Sequence, residues 1–316
     1  MFLGIEIGGT KLQLGVGAGD GSPLVDLIRL DVNAEQGAAA ILEQIKLAGR
    51  RLLATHDVAR IGIGFGGPVD RRGGRILKSH QVAGWEDVPI VDWCRQQYGM
   101  SAILGNDCDA AALAEARFGA GQGSQTAFFV TVGTGIGGGL VIDGELHGAG
   151  RPAVAEIGHL RPGPQAFAPD VTVESVASGR GIEAAVRQRL GAVSLNEHRA
   201  ANQLMTACGG DPTLLTAKMI ATAAEGGNSL ASEVLDEASR VLGWAIAQVI
   251  TLLAPEVVVV GGGVSLMGDD RFFEPLRRTV ARYVFRPLRS SYRIVPAELG
   301  EEVVVHGAIA LAAEGS

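Results

Sequence analysis

An α/β fold built from two similar halves is what this sequence predicts, and three observations carry that reading. A glycine hairpin occurs twice, as FLGIEIGGTKLQLGVG at Phe2–Gly17 and as FFVTVGTGIGGGLVI at Phe128–Ile142. Apolar β-branched runs alternate with segments of helical spacing along the rest of the chain, the pattern of strands joined by helices. The chain has 316 residues, 47% of them hydrophobic, which suits two buried cores.

Each element has its own local signal. After the first hairpin, Leu24–Leu30 reads as a strand, and Ala38–Ala54 as a helix with Ile41, Leu42, Ile45, Leu52 and Leu53 on one face. Arg60–Phe65 is a buried strand closing on Gly66-Gly67-Pro68. A short helix at Val91–Tyr98 leads to a strand near Ser101–Leu104, the loop Gly105-Asn106-Asp107 and an alanine-rich helix, Cys108–Phe118. Beyond the second hairpin, Ser178–Leu190 is helical. Asp211-Pro212 supplies an N-cap and first-turn proline for a helix running to about Glu225. Asn228–Leu253 is a long helix, Val257–Val260 an apolar strand ending in Gly261-Gly262-Gly263, and His306–Ala313 a C-terminal helix.

Composition excludes several classes. A net charge of -7 argues against a nucleic-acid partner, which excess Lys and Arg would hold. Seven arginines between Arg271 and Arg293 read as a solvated amphipathic helix and its loop. Cys94, Cys108 and Cys208 form neither a disulfide framework nor a zinc pair. No signal peptide is visible, and no charge-free apolar run reaches the roughly 18 residues of a membrane span. These features predict a soluble, cytoplasmic protein with no membrane or nucleic-acid partner.

Two facing hairpins whose turn amides approach an anion suit a polyphosphate, and so a nucleotide-dependent phosphotransferase. Gly133–Gly138 also satisfies G-x-G-x-x-G, but a dinucleotide site needs a helix next, and Leu140-Val141-Ile142 continues as a strand. Four loops at strand ends carry the candidate chemistry. Asp107 either caps the helix it precedes or takes a proton from a substrate hydroxyl. Glu156 and His159, in AEIGH, and Glu174, in VES, suit a polyhydroxyl ligand whose hydroxyls must all be paired when desolvated. Taken singly, Glu174 is equally a helix N-terminal charge and His159 a satisfied core histidine. Gly261–Gly263 either leaves room for a base or ribose or simply turns the chain.

The ordered set GIEIGGTK, GIGFGGPVD, GNDCDAAALAEARFGAG, TVGTGIGGGLVIDGEL, AEIGH, VESVASG and VVVVGGGVS resembles the ROK family of sugar kinases and repressors, most closely its glucokinase branch. The match covers Phe2 to about Ala312. The resemblance implies a duplicated actin-like, hexokinase-like (ribonuclease H-like) two-domain fold with ATP and sugar in an interdomain cleft. The domains expected are 1–117 and 118–303, with 304–316 packing back on the first.

Carried over by position, Asp107 matches the family's catalytic base, and Gly67, Asn106, Glu156, His159 and Glu174 its sugar contacts. Gly8, Gly9, Thr10 and Lys11 match the first phosphate loop, Thr134 and Gly135 the second, and Gly262 the adenosine motif. Mg²⁺ is implied with the ATP, and Glu6, where the family more often has Asp, stands at its water-mediated position. The implied activity is phosphorylation of the 6-hydroxyl of glucose or a related hexose by a homodimer. A kinase for N-acetylmannosamine, N-acetylglucosamine, fructose, mannose or allose is the alternative within the class.

Two departures mark this chain. The family's three zinc-binding cysteines would fall at Gln165, Phe167 and Thr172, and Leu160–Val173 offers only Asp170 besides His159, so no zinc is expected. Lys78-Ser79-His80-Gln81-Val82-Ala83-Gly84-Trp85 replaces an N-L-P-G-W run, with Gln81 at the asparagine. A repressor would carry a helix-turn-helix ahead of the kinase-like body, whereas Phe2 already begins the first phosphate-loop strand. A non-catalytic sugar-binding sensor would need a damaged loop or base, and Gly8–Lys11, Thr134 and Asp107 are intact.

Overall fold

The computed structural model describes residues 1–79, 81–148, 150–151, 153–163, 167–192 and 199–314. His80 of the Lys78–Trp85 run and Gln165 of the expected cysteine positions lie outside them. The chain divides into two compact units, one of Met1–Phe129, Gly138–Ala155 and Ala297–Ser316, the other of Val130–Gly137 and Glu156–Pro296.

The first unit is organised by a five-stranded sheet of β1 (Phe2–Ile7), β2 (Lys11–Gly17), β3 (Asp26–Asp31), β4 (Arg60–Phe65) and β7 (Ala102–Asn106), in the order β3-β2-β1-β4-β7. The β1–β2 hairpin is antiparallel, with Glu6 opposite Gln13 and Ile7 opposite Leu12, while β1, β4 and β7 run parallel. A two-stranded ribbon, β5 (Val69–Asp70) with β6 (Arg75–Ile76), comes directly after β4. The parallel strands need helical crossovers, supplied by α1 (Gly37–Thr55) and α2 (Ile90–Tyr98). Ile41, Ile45 and Leu52 of α1 join Leu3, Ile5, Ile63 and Trp85 in one fully enclosed core. Each such side chain stabilises by about 1.5–3 kcal/mol over exposure.

α3 (Asp107–Phe118) and α10 (Val303–Glu314) pack on each other, and α10 also covers β1 and β4. Residues Val305 to Ala312 of α10 are buried without interruption. Close approach is possible because glycines face it: a Cβ on Gly62 would strike the Ala308 carbonyl, and one on Gly307 the Ala110 carbonyl. Glu115 of α3 is 1% exposed and accepts the backbone N–H groups of Ala120, Glu298 and Leu299, each at 2.9 Å.

A second five-stranded sheet has the order β10-β9-β8-β11-β12, from β8 (Thr126–Val132), β9 (Ile136–Ile142), β10 (Glu145–Leu146), β11 (Val257–Gly261) and β12 (Arg293–Pro296). The second unit holds the helices α4 (Val173–Ala177), α5 (Gly179–Gly191), α6 (Arg199–Ala207), α7 (Ala217–Glu225), α8 (Ser229–Leu253) and α9 (Glu274–Tyr283). The long apolar helix expected at 228–253 is α8, capped by Asn228, whose side chain accepts the Ala231 N–H at 3.0 Å.

Two expectations need correction. The helix expected to start at Asp211-Pro212 is only a 3₁₀ turn, Pro212–Leu214. Leu215 turns extended and is buried, and Thr216 starts a separate helix, α7, by accepting the Met219 N–H at 3.2 Å. The arginine-rich stretch contains the amphipathic α9, with Leu276 and Val280 buried, but beyond α9 the chain forms the edge strand β12 as well as loop.

Candidate active site

In the first unit the turn between β1 and β2 places Gly8, Gly9 and Thr10 at the ends of two buried strands. The Gly8 N–H closes the turn on the Lys11 carbonyl at 2.9 Å, and the Gln81 side chain lies so close over Gly9 that a Cβ there would collide with it. Behind the turn is a polar network. Glu6 Oε1 pairs with Lys11 Nζ at 3.3 Å and Oε2 accepts from Gln13 Nε2 at 2.7 Å; Arg29 Nε donates to Gln13 Oε1 at 3.1 Å. Burial pushes the Glu6 carboxyl above its ordinary value, with Lys11 and Gln13 pulling it back.

The β7–α3 junction carries the next group. Asn106 is the N-cap of α3: its Oδ1 accepts the N–H groups of Cys108 at 2.8 Å and Asp109 at 3.4 Å. Its Nδ2 donates to the Gly67 carbonyl at 3.0 Å, fixing the Gly66–Gly67 turn. The capping alternative for Asp107 thus falls chiefly to its neighbour. Asp107 opens α3, with Oδ1 accepting the Cys108 N–H at 2.8 Å and Oδ2 3.3 Å from where a Cβ on Gly66 would stand.

In the second unit, Gly133, Thr134 and Gly135 form the turn between β8 and β9. It is pinned from three sides. Gly133 N–H bonds the Gly135 carbonyl at 2.9 Å, Gly179 N–H bonds the Gly133 carbonyl at 2.8 Å, and Ile136 N–H bonds Glu174 Oε2 at 2.7 Å. Gly179 begins α5, capped by Ser178, so a helix N-terminus adjoins the turn, a setting that favours anions. Gly262, at φ +90, packs on Val132 so closely that a Cβ would lie 2.5 Å from its carbonyl oxygen. Only glycine suits that position.

Beside this turn opens a cavity of ≈ 820 Å³ lined by Gly133, Thr134, Arg180, Lys218, Gly263 and Met267, among others. Thr134 and the neighbour of Gly262 therefore share one cavity with two cations, Arg180 and Lys218, and two carboxylates, Glu183 and Glu225. Sequence reasoning does not single out Arg180 or Lys218. The one available signal for Arg180 is its place directly after the capped Ser178-Gly179 start of α5; for Lys218 there is none.

Glu156, His159 and Glu174 also lie in the second unit. Ile157–His159 is a 3₁₀ turn, and Gly158 lets it press against the Ile136 carbonyl. Burial of the Glu156 carboxyl raises it above its ordinary value of 4.5; the His159 ring opposes this and the Glu174 carboxylate adds to it, so Glu156 senses both neighbours. Arg161 donates to the His159 carbonyl and, at 3.1 Å, to that of Pro169. Thr172 and Ser175 form a capping box that starts α4 and sets the backbone of Glu174. Gly67, Asn106, Asp107 and the first turn belong to the first unit, and Thr134, Gly135, Glu156, His159, Glu174 and Gly262 to the second.

Two sheets, each with a glycine hairpin, define the mixed α/β, actin-like and hexokinase-like architecture. A ROK structure from Streptomyces griseus, a glucokinase with glucose and AMPPNP bound, superposes with a TM-score of 0.83 at 31% identity, covering 99% of each chain. A ROK hexokinase from Thermus thermophilus gives 0.81 at 29% identity, covering 99% of this chain and 98% of that one. The ROK family profile matches residues 2–315, and this chain belongs to the ROK family. Among its relatives, the glucokinase of Halalkalibacterium halodurans is 32% identical over 317 residues, 97% of this chain and 93% of the relative.

Proposed function

We propose that this chain, an ATP-dependent sugar kinase, phosphorylates the 6-hydroxyl of glucose or a closely related hexose, with Asp107 as general base. The observation that carries the reading is the paired set of glycine turns, one buttressed by Glu6, Lys11 and Gln13, the other by Glu174 and α5, together with a carboxylate at the start of α3. Kinship to glucokinases supports glucose as first choice.

In this reading Glu156, His159, Glu174, Asn106 and Gly67 hold the sugar. Asp107 takes the 6-hydroxyl proton as that oxygen bonds to the γ-phosphorus, the bond to the bridging oxygen breaks, and ADP leaves with the electron pair. The turns Gly8–Lys11 and Gly133–Gly135 offer amides to the phosphates, and the cavity beside Gly262 takes the adenosine. Arg180 and Lys218 suit the nucleotide's charge. Among the described residues no three His, Cys, Asp or Glu side chains gather into a metal cage. A Mg²⁺ carried by the nucleotide needs one or two carboxylates at most, and Glu6 stands behind the first turn. Glu6 would hold it through water, and the ion would offset charge on the transferring phosphoryl group.

A homodimer working in the cytoplasm is part of this proposal and rests on the sequence resemblance alone. Among the described residues, no helix is long and apolar enough to cross a membrane.

The test is ADP release from Mg-ATP with a panel of hexoses, wild type against Asp107→Ala. Loss of a general base costs about two to four orders of magnitude in turnover. Turnover on one sugar that collapses in the variant is expected. Sugar binding by wild type with no sugar-dependent ADP release would overturn the reading in favour of a sensor.

A further inference from the structure

Glu174 does two things that its place in the sequence does not connect. Its Oε2 accepts the Ile136 N–H at 2.7 Å and sits 2.5 Å from where a Cβ on Gly135 would be, so it lies directly against the second phosphate turn. Its charge is also felt by Glu156, one of the proposed sugar ligands. No other hydrogen bond to the Glu174 side chain is made among the described residues, so Oε1 is available on the other side of the carboxylate.

The turn it holds is otherwise tied by backbone bonds alone among the described residues, Gly133 N–H to Gly135 O and Gly179 N–H to Gly133 O. Ile136 N–H is where β9 begins. Removing its acceptor leaves a part-buried donor unpaired and three turn residues, two of them glycine, less constrained.

We propose that Glu174 is a positioning residue that couples the two substrates: one oxygen binds a sugar hydroxyl while the other anchors the phosphate turn. This rests on the sugar-kinase reading and adds to it a route for cooperation within the second unit. A sugar hydroxyl on Oε1 fixes the carboxylate, the fixed carboxylate holds Ile136 and hence the Gly133–Gly135 amides, and the ordered turn binds the nucleotide more tightly. By linkage the nucleotide strengthens sugar binding by the same factor. Among the described residues the His159 and Glu156 side chains make no hydrogen bond to the turn, so they contribute to sugar affinity without this coupling.

The experiment is calorimetric binding of a non-hydrolysable ATP analogue with Mg²⁺, with and without saturating glucose, to wild type, Glu174→Ala, Glu174→Gln and His159→Ala. Glucose is expected to tighten analogue binding to wild type about tenfold. Glu174→Ala weakens the analogue about tenfold even without sugar and abolishes the glucose effect. Glu174→Gln, whose carbonyl still accepts the Ile136 N–H, recovers the sugar-free nucleotide affinity while glucose binding stays weak. His159→Ala loses glucose affinity with its sugar-free nucleotide affinity intact.

Glu174→Ala that binds the analogue within twofold of wild type, or that matches His159→Ala throughout, would overturn the coupling while leaving the kinase reading intact. If Glu174→Ala does not fold, Glu174→Gln decides, because a wild-type glucose effect in that variant overturns the proposal too. Wild type that binds no analogue at all overturns the kinase reading itself, and the coupling with it.

Discussion

Gln13 donates through one Nε2 to both Glu6 Oε2 at 2.7 Å and the Glu301 carbonyl at 2.8 Å, joining the first phosphate turn to the segment that enters α10. The side chain is completely buried, and Arg29 holds its oxygen. Gln13→Leu therefore removes one of the two donors of a buried carboxylate, leaving it only Lys11, and is expected to cost about 1–3 kcal/mol in urea unfolding. Glu6→Gln in the same background should recover part of that loss, because no buried charge then remains. A double-mutant cycle giving strictly additive effects would show that the two side chains act independently.

Sugar affinity should depend on pH through Glu156. Its carboxyl is raised above 4.5, chiefly by burial, so it ionises at higher pH than an unburied glutamate. The ionised form is the better acceptor for sugar hydroxyls, so affinity rises as pH climbs above 4.5 and levels off once the group is charged. In Glu156→Gln the rise over that window should be absent. Calorimetric titration of glucose at several pH values checks this, and an unchanged slope in the variant would assign the dependence elsewhere.

Gly307→Ala sets two effects against each other. Alanine favours a helix interior by about 1 kcal/mol over glycine. The added methyl would collide with the Ala110 carbonyl, a backbone atom with no rotamer to change. Overpacking of this kind costs about 1–3 kcal/mol and more where backbone must shift, so the variant should melt at lower temperature. Gly191→Ala, at the end of α5 with nothing within 4 Å, should not.

Arg161 joins the carbonyls of His159 and Pro169, on either side of the segment where the family resemblance would place zinc-binding cysteines. Purified protein should contain substoichiometric zinc by elemental analysis. Arg161→Ala should raise the KM for sugar about tenfold with a smaller change in kcat, and Arg161→Lys should restore part of it. Stoichiometric zinc would mean that other ligands replace the missing cysteines.

Much of the fold is legible in the chain because local signals agree with tertiary demands. Arg60–Phe65, both hairpins and α8 are apolar runs closed by glycine or by a capping Asn or Ser, and they form where those signals stand. β12 is not legible: four residues with Arg293 at one end and Pro296 at the other have the composition of a loop, and only an edge position tolerates them. The break between Pro212–Leu214 and α7 is likewise set by burial of Leu215, which no local pattern announces. In the site, motif residues such as Glu174 can be read as carboxylates, but that Glu174 holds Ile136 depends on a turn 38 residues earlier in the chain. Lys218 comes near Thr134 only through folding of the second unit.

The burial of α10 has a consequence for biosynthesis. The sheet of β1 to β4 leaves the ribosome early, yet residues 303–314, which cover it, emerge only after the second unit has been made. At about 5–20 residues per second, the face beneath α10 waits roughly 12–50 s for its cover. Gly4, Gly62 and the apolar strand residues around them stay open to holdases or to misassociation for that interval. Folding order should therefore run against synthesis order, with the second unit first to become protease-resistant on nascent chains that expose it while residues 303–314 are still held in the exit tunnel.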